Sequence, residues 1–181
     1  MWHCHVVGGL IMESKITIAF TKNSEVSFDL KKEIIGVKAE HWNYTFSEHS
    51  KWMDENLTED DVHIILYVDS EIAGYANLVY RDLLNIEKTK VVGVGNVCVS
   101  KKYENKGIGT FIMNSITFFL KERNLIGLLF CKDSLTPFYS KSGWREYTGS
   151  IYDQFEQEIS HKCFFINGSL EDKITLLGKL F

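Results

Sequence analysis

Proline is almost missing from this chain: there is one, Pro137, in 181 residues. That excludes a proline-rich linker or a polyproline recognition segment. Cysteine is sparse too. Cys4, Cys98, Cys131 and Cys163 stand far apart, without the paired spacing of a zinc site or the density of a disulfide-stapled domain. Reduced thiols in a cytoplasm fit that usage. No apolar run approaches the roughly 20 residues of a membrane helix, so no membrane partner is expected. Neither sign of charge dominates: 20 basic and 24 acidic residues leave a formal net charge of -4. Nucleic-acid binders more often carry a basic surface, so no nucleic-acid partner is expected. Internal repeats, low-complexity tracts and linkers are missing as well.

What is present is enough apolar material for a core. Hydrophobic residues make up 45% of the chain, whose length suits one domain. The opening "MWHCHVVGGLIM" has neither the basic head nor the cleavage site of a signal peptide. Residues 1–14 are expected to be a leader, with Met12 a candidate start, and residues 15–181 to form one domain. His3, Cys4 and His5 could bind a metal, but a leader is the simpler reading, and no metal is expected.

The residue patterns then assign elements. Residues 15–22 alternate as a half-buried strand does. Asn23 or Ser24 is a candidate cap for a helix whose apolar positions run through Leu30, Ile34, Ile35 and Val37. A short helix is expected over 47–57. Two strand-like runs within 61–83 flank "DSE" as a hairpin, and a third covers Val91 to Val99. From Ile108 to Leu120 the apolar spacing becomes helical, and Asn124 suits the left-handed position after the helix. Residues 125–131 read as a buried strand. Thr136 and Pro137 suit the cap and first position of another helix, which Gly143 ends. "WREYTGSIY" and "HKCFFI" read as two further strands. The fold class is therefore α/β (α+β): a mixed central sheet, an antiparallel meander followed by a parallel βαβ unit, with flanking helices.

The loop "KKYENKGIGT" lies between strand and helix, where open α/β sheets bind ligands. A helix N-terminus exposes unpaired N–H groups and attracts phosphate. Gly107 and Gly109 would let an anion approach, Lys101, Lys102 and Lys106 add positive charge, and Thr110 adds a hydroxyl. The spacing fits neither a P-loop nor a dinucleotide fingerprint, since Ile112 stands where the latter needs a third small residue. Loop chemistry alone leaves two readings: a seat for phosphate or pyrophosphate over 104–110, or a tight turn without a ligand.

With these residues quoted, a family likeness can be stated. "VCVSKKYENKGIGTFIM" resembles the acyl-coenzyme A loop of GNAT-type N-acyltransferases. "TPFYSKSGW" is similar to that family's second signature, a tyrosine in a short helix before a Gly-aromatic pair. The likeness covers roughly residues 15 to 166. It implies a GNAT-like fold and an N-acetyltransferase that moves an acetyl group from acetyl-CoA to a primary amine, of a small cationic molecule, by direct attack in a ternary complex. Within the family, "VVGVGNVCVS" and "FYSKSGWREYTG" look like the aminoglycoside 2′-N-acetyltransferase branch, as does a tail closing on an aromatic residue, here Phe181. The acid that branch carries on its fourth strand is replaced by Gly95.

The resemblance implies the site residues. Val97, Cys98 and Val99 would run along the pantetheine. Glu104, Asn105, Lys106, Gly107, Ile108, Gly109 and Thr110 would hold the pyrophosphate, with Ser134 a further contact. Glu104 replaces the family's usual Arg or Gln, and the three lysines would offset it if its carboxylate turns to solvent. Tyr139 would be the general acid that protonates the leaving thiolate. For the base, the Phe181 terminal carboxylate ranks first, with His41 or a water chain as alternatives. Gly93 and Gly95 suggest a bulge or a close backbone approach. Cys98 reads as a small core residue rather than a nucleophile. One or two of Trp42, Tyr44, Trp52 and Trp144 are expected to line the acceptor pocket. Glu40, Asp54, Glu55, Glu59, Asp60 and Asp61 could make its border acidic, although such charges more often form a solvated face. The alternatives are acetylation of a protein lysine or N-terminus, and a non-catalytic acyl-CoA sensor. The partners implied are a small-molecule amine, with a homodimer left open.

Overall fold

The computed structural model describes residues 14–84 and 90–181. The leader, with His3, Cys4 and His5, lies almost wholly outside them. The described residues begin with strand β1 (Ile16–Lys22) and helices α1 (Phe28–Ala39) and α2 (Phe46–Asn56). The meander follows as β2 (Val62–Val68), β3 (Glu71–Asp82) and β4 (Lys90–Val99). Then come α3 (Ile108–Glu122), β5 (Ile126–Cys131) and α4 (Thr136–Lys141). The chain finishes with β6 (Arg145–Glu146), β7 (Ser150–Tyr152), β8 (Lys162–Ile166) and β9 (Lys173–Thr175).

Seven strands form one mixed sheet in the order β1-β2-β3-β4-β5-β8-β6. The meander is antiparallel, and β4 and β5 run parallel across the α3 crossover. The expected mixed sheet is therefore present. The "DSE" hairpin turns without glycine because Asp69 and Ser70 both take positive φ (50° and 71°), and aspartate tolerates that region better than most residues.

Several local expectations shift. Ser27, not Asn23 or Ser24, caps α1, its Oγ accepting from Leu30 N at 3.2 Å; the two earlier residues form a separate 3-10 turn. The α4 cap position belongs to Leu135, because a 3-10 turn over Asp133–Leu135 leads straight into the helix. "WREYTGSIY" is not one strand. Its first part pairs with β8, and its last part leaves the sheet to pair in parallel with β9, which the sequence reading missed.

The sheet carries a core on each face. One face meets α3 through Ile108, Ile112, Met113, Ile116 and Leu120. The other meets α1 and α2 through Ile34, Ile35, Val37 and Met53, with Phe181 packed at its margin. On β2, Ile64 and Leu66 join the first core and Ile65 the second, as strand alternation requires. A bulge interrupts this alternation on β4. Tyr75 pairs with Cys98 but Asn77 pairs with Gly95, so β4 carries one residue too many, and Asn96 takes φ 52°. Before the bulge, Val92 and Val94 face α3; after it, Val97 and Val99 do, and Cys98 turns to the α1 side.

Candidate active site

Two features open a slot in the middle of the sheet. The β4–β5 ladder consists of Val91↔Ile126, Val92↔Gly127 and Gly93↔Leu128, yet β4 continues to Val99 and β5 to Cys131. Beyond Gly93, the β4 edge that faces β5 has no partner strand. It offers backbone N–H and C=O groups to an extended ligand, as an exposed sheet edge does. The bulge lies within that stretch.

The second feature is the start of α3. Gly107 takes φ 82° at the cap position, and no side chain caps the helix. Left-handed geometry there favours glycine. The first N–H groups of a helix have no intrahelical acceptor, so those of α3 point outward to whatever lies beyond Gly107.

A cavity of about 490 Å³ joins the two features. It is lined by Val97, Cys98 and Val99, by Glu104, Asn105, Gly107, Ile108, Gly109 and Thr110, and by Tyr139 with Phe138 and Leu135. These are the expected cofactor-loop residues and the expected acid, brought to one place. Lys106 and Ser134 are not among the lining residues. Lys106 Nζ donates to the carbonyl of Lys102 at 2.9 Å, and Lys102 pairs with Glu71. Two of the three lysines are thus engaged locally, while Glu104 stays in the cavity wall.

Tyr139 is 6% exposed, and burial, with Cys131 nearby, pushes its phenol up to about 12. It stays protonated at neutral pH, as a proton donor must. Burial also pushes the Cys98 thiol up to about 12, which removes it as a nucleophile and agrees with a packing role. His41 lines the same cavity, and its Nε2 lies 2.6 Å from the Val99 carbonyl oxygen. That geometry makes Nε2 the protonated nitrogen, so this face of the ring donates rather than accepts.

A second cavity of about 590 Å³ lies on the α1 side, lined by Lys38, Trp42, Tyr44, Glu48, His49, Trp52, Asn96, Leu180 and Phe181. Asn96 and Val97, neighbours in the bulge, each line one of the two cavities. Phe181 explains the β4 glycines. A side chain at Gly93 would overlap the Phe181 ring, and one at Gly95 would begin 3.0 Å from the Phe181 carboxyl carbon. The Phe181 carboxyl carbon therefore sits over the strand position where the resembled branch carries an acid. Asn77 shares that space. Its Oδ1 accepts from Asn96 Nδ2 at 2.8 Å, and its own Nδ2 is buried without a partner among the described residues.

Three of the four named aromatics, Trp42, Tyr44 and Trp52, line the second cavity, more than the one or two expected. Trp144 does not; it is core, its Nε1 donating to Thr117 Oγ1 at 3.0 Å. None of the six acids named for its border lines this cavity either. Asp54 pairs with Lys31 at 2.6 Å, Asp60 with Lys22 at 2.8 Å, and buried Asp61 accepts from Tyr80 N at 2.9 Å. Glu48 is the side-chain carboxylate present, and it accepts from Thr45 N at 2.7 Å in a capping box. Glu48, Lys38, Asn77 and Asn96 were missed. Lys38 had a visible signal, since it follows Ile34 by four residues on the apolar face of α1.

The sequence model of the acetyltransferase (GNAT) family matches residues 31–144, which span α1 to the end of α4. The chain belongs to the GNAT acetyltransferase family. It is an acyltransferase, and acyl-coenzyme A is the co-substrate that such enzymes generally use. Solved structures agree on the fold. ElaA of Escherichia coli superposes with a TM-score of 0.61 at 18% identity, over 83% of this chain and 99% of that one. An acyl-CoA N-acyltransferase from Pseudomonas aeruginosa gives 0.61 at 16% identity, over 83% and 99%. Glucosamine-6-phosphate N-acetyltransferase from Arabidopsis thaliana gives 0.53 at 17%, over 70% and 90%. Among curated proteins no relative matches. The slot fits this GNAT chain's co-substrate: the uncapped α3 start suits a pyrophosphate and the unpaired β4 edge suits the amide-bearing pantetheine.

Proposed function

We propose that the protein transfers an acetyl group from acetyl-CoA to a primary amine of a small molecule, by direct attack in a ternary complex. The observation that carries this reading is the pair of cavities meeting at the β4 bulge. Thioester and amine would approach from opposite sides of one strand. The second cavity has the size of a small-ligand site. The amine arrives protonated, cationic at its reacting end, and the face of Trp42 suits such a cation.

The steps balance without a further reactant. The ammonium gives one proton to a base, and we assign that base to the Phe181 carboxylate over Gly95. The neutral amine attacks the thioester carbonyl, a C–N bond forms, and the C–S bond breaks. Tyr139 gives its proton to the departing thiolate and recovers one from solvent. A phenol near 12 is a poor acid toward an exposed thiolate. A thiolate leaving in the same dry slot is raised as well, as the Cys98 thiol is, so the two affinities approach each other. The three described cysteines are free and buried, which supports a reducing, cytoplasmic setting.

The test is thiol release from acetyl-CoA over a panel of small amines and lysine-bearing peptides. Turnover with a small amine and little with peptides is expected. Tight acetyl-CoA binding without turnover on any amine would make the protein an acyl-CoA sensor instead. Appending one alanine after Phe181 moves the carboxylate, and should lower kcat; an unchanged rate would remove Phe181 from the mechanism.

A further inference from the structure

The second cavity contains a buried cation without an ion-pair partner among the described residues. Lys38 is 2% exposed and lines that cavity. Among the described residues its Nζ has no hydrogen-bond or ion-pair partner; its neighbour is the face of Trp52, 4.5 Å to the ring centroid. Lysine is rarely buried unless paired, because the interior does not replace its hydration. A single aromatic face compensates only in part.

The surrounding groups do not pair with it: the Phe181 carboxylate lies over Gly95 at the same cavity and forms no ion pair with Lys38. Glu40, two residues on, is turned to Ser100 Oγ at 3.2 Å and to the Lys101 amide. Glu48 shares the cavity but is held by the Thr45 amide and hydroxyl. Cys98, across on β4, is kept neutral by burial. Burial also brings the Lys38 ammonium down to about 8, the behaviour of a charge that lacks a carboxylate.

We propose that the acceptor carries an anionic group, a carboxylate or a phosphate, which docks on Lys38 while its amine lies at the β4 bulge. This rests on the acetyl-transfer reading above and narrows it to amines with an acidic group, such as amino acids or aminoalkyl phosphates. Lys38 is then a specificity-determining residue. It attracts the acidic end of a zwitterion, repels a second cation, and so disfavours polyamine acceptors. The cavity walls supply the rest, with Trp42 and Trp52 among the residues that would meet the molecule's carbon frame.

The experiment has two arms. In the first, kcat/KM is measured for matched pairs: an amino acid against its methyl ester, and an aminoalkyl phosphate against the corresponding amino alcohol. The wild type should favour the anionic member of one pair by about tenfold or more, the scale of one charge-assisted contact. In Lys38→Met that ratio should fall toward one, and Lys38→Gln gives the same reading if Met perturbs packing. The preferred pair distinguishes carboxylate from phosphate. Equal use of both members by the wild type, or a ratio that the substitutions leave intact, overturns the proposal.

The second arm does not depend on transfer. Inorganic phosphate and acetate are titrated with coenzyme A present to fill the first cavity, and also without it. Anion binding that is lost in Lys38→Met supports the proposal even if no amine is acetylated, in which case the acetyl-transfer reading fails alone. No Lys38-dependent anion binding, together with no turnover, overturns both.

Discussion

At the scale of the residue, two buried groups do opposite things. Tyr139 is neutral and gains from burial, because burial keeps its proton in place. Tyr139→Phe should lower kcat by about a hundredfold, the lower end for a general acid, while the acetyl-CoA Kd moves less than about twofold. Stopped-flow and equilibrium titration separate the two effects. Lys38 is charged and loses from burial. Its folded value, about 8, lies below the 10.5 of an open chain, so between those values the unfolded state holds more protons. The penalty is complete below about 8 and vanishes above 10.5. It is shared with Cys98 on β4, His63 on β2 and His49 on α2, whose protonation Lys38 affects or is affected by. Lys38→Met should therefore stabilise the protein at neutral pH by up to about 3 kcal/mol. Urea unfolding at pH 7 and near pH 10 checks this: the gain should shrink at the higher pH.

Elements explain how much could be read from sequence. The α3 loop was legible because its signal is local. Gly107, its left-handed turn and the helix that follows occupy consecutive positions, and so does the Pro137 helix with Tyr139. The second cavity was not legible, because it is assembled from α1, α2, the β4 bulge and the last residues of the chain. No short window holds Lys38, Trp52, Asn96 and Phe181 together. The two glycines of β4 were rightly suspected of a close approach, but only the fold identifies what approaches them. The split of 144–152 into β6 and β7 escaped because Trp144, Tyr147, Ile151 and Tyr152 spread apolar positions over the whole window, with only Gly149 to mark a break. Departure from the sheet depends on β9, over twenty residues away. At this scale Glu104 makes a further prediction. It lines the first cavity beside the α3 start and has no ion-pair partner among the described residues. Glu104→Gln should lower the KM for acetyl-CoA by roughly threefold to fivefold, the scale of an exposed charge contact. That gain should fade in high salt, as steady-state kinetics at two ionic strengths would report.

The seven-stranded sheet has two segments, β1 to β4 and β5 with β8 and β6, paired to each other through three residue pairs and linked in the chain by the α3 crossover. A ligand lying along the β4 edge would supply hydrogen bonds where the ladder stops. Acetyl-CoA at about a hundred times its Kd should stabilise the fold by about 2.7 kcal/mol. Amide hydrogen exchange should slow at Val97, Cys98 and the first turn of α3, and remain unchanged in β7 and β9. Protection spread evenly over the chain would argue against binding in the slot.

The extra residue of β4 also sets sidedness for everything after it. Up to Val94 the even-numbered side chains look toward α3; from Val97 the odd-numbered ones do. Were β4 to alternate strictly with Asn96 retained, Cys98 would face the donor compartment and Val97 and Val99 the other; the bulge absorbs the extra residue and keeps them on their present sides. The bulge thus decides which reactant meets which wall.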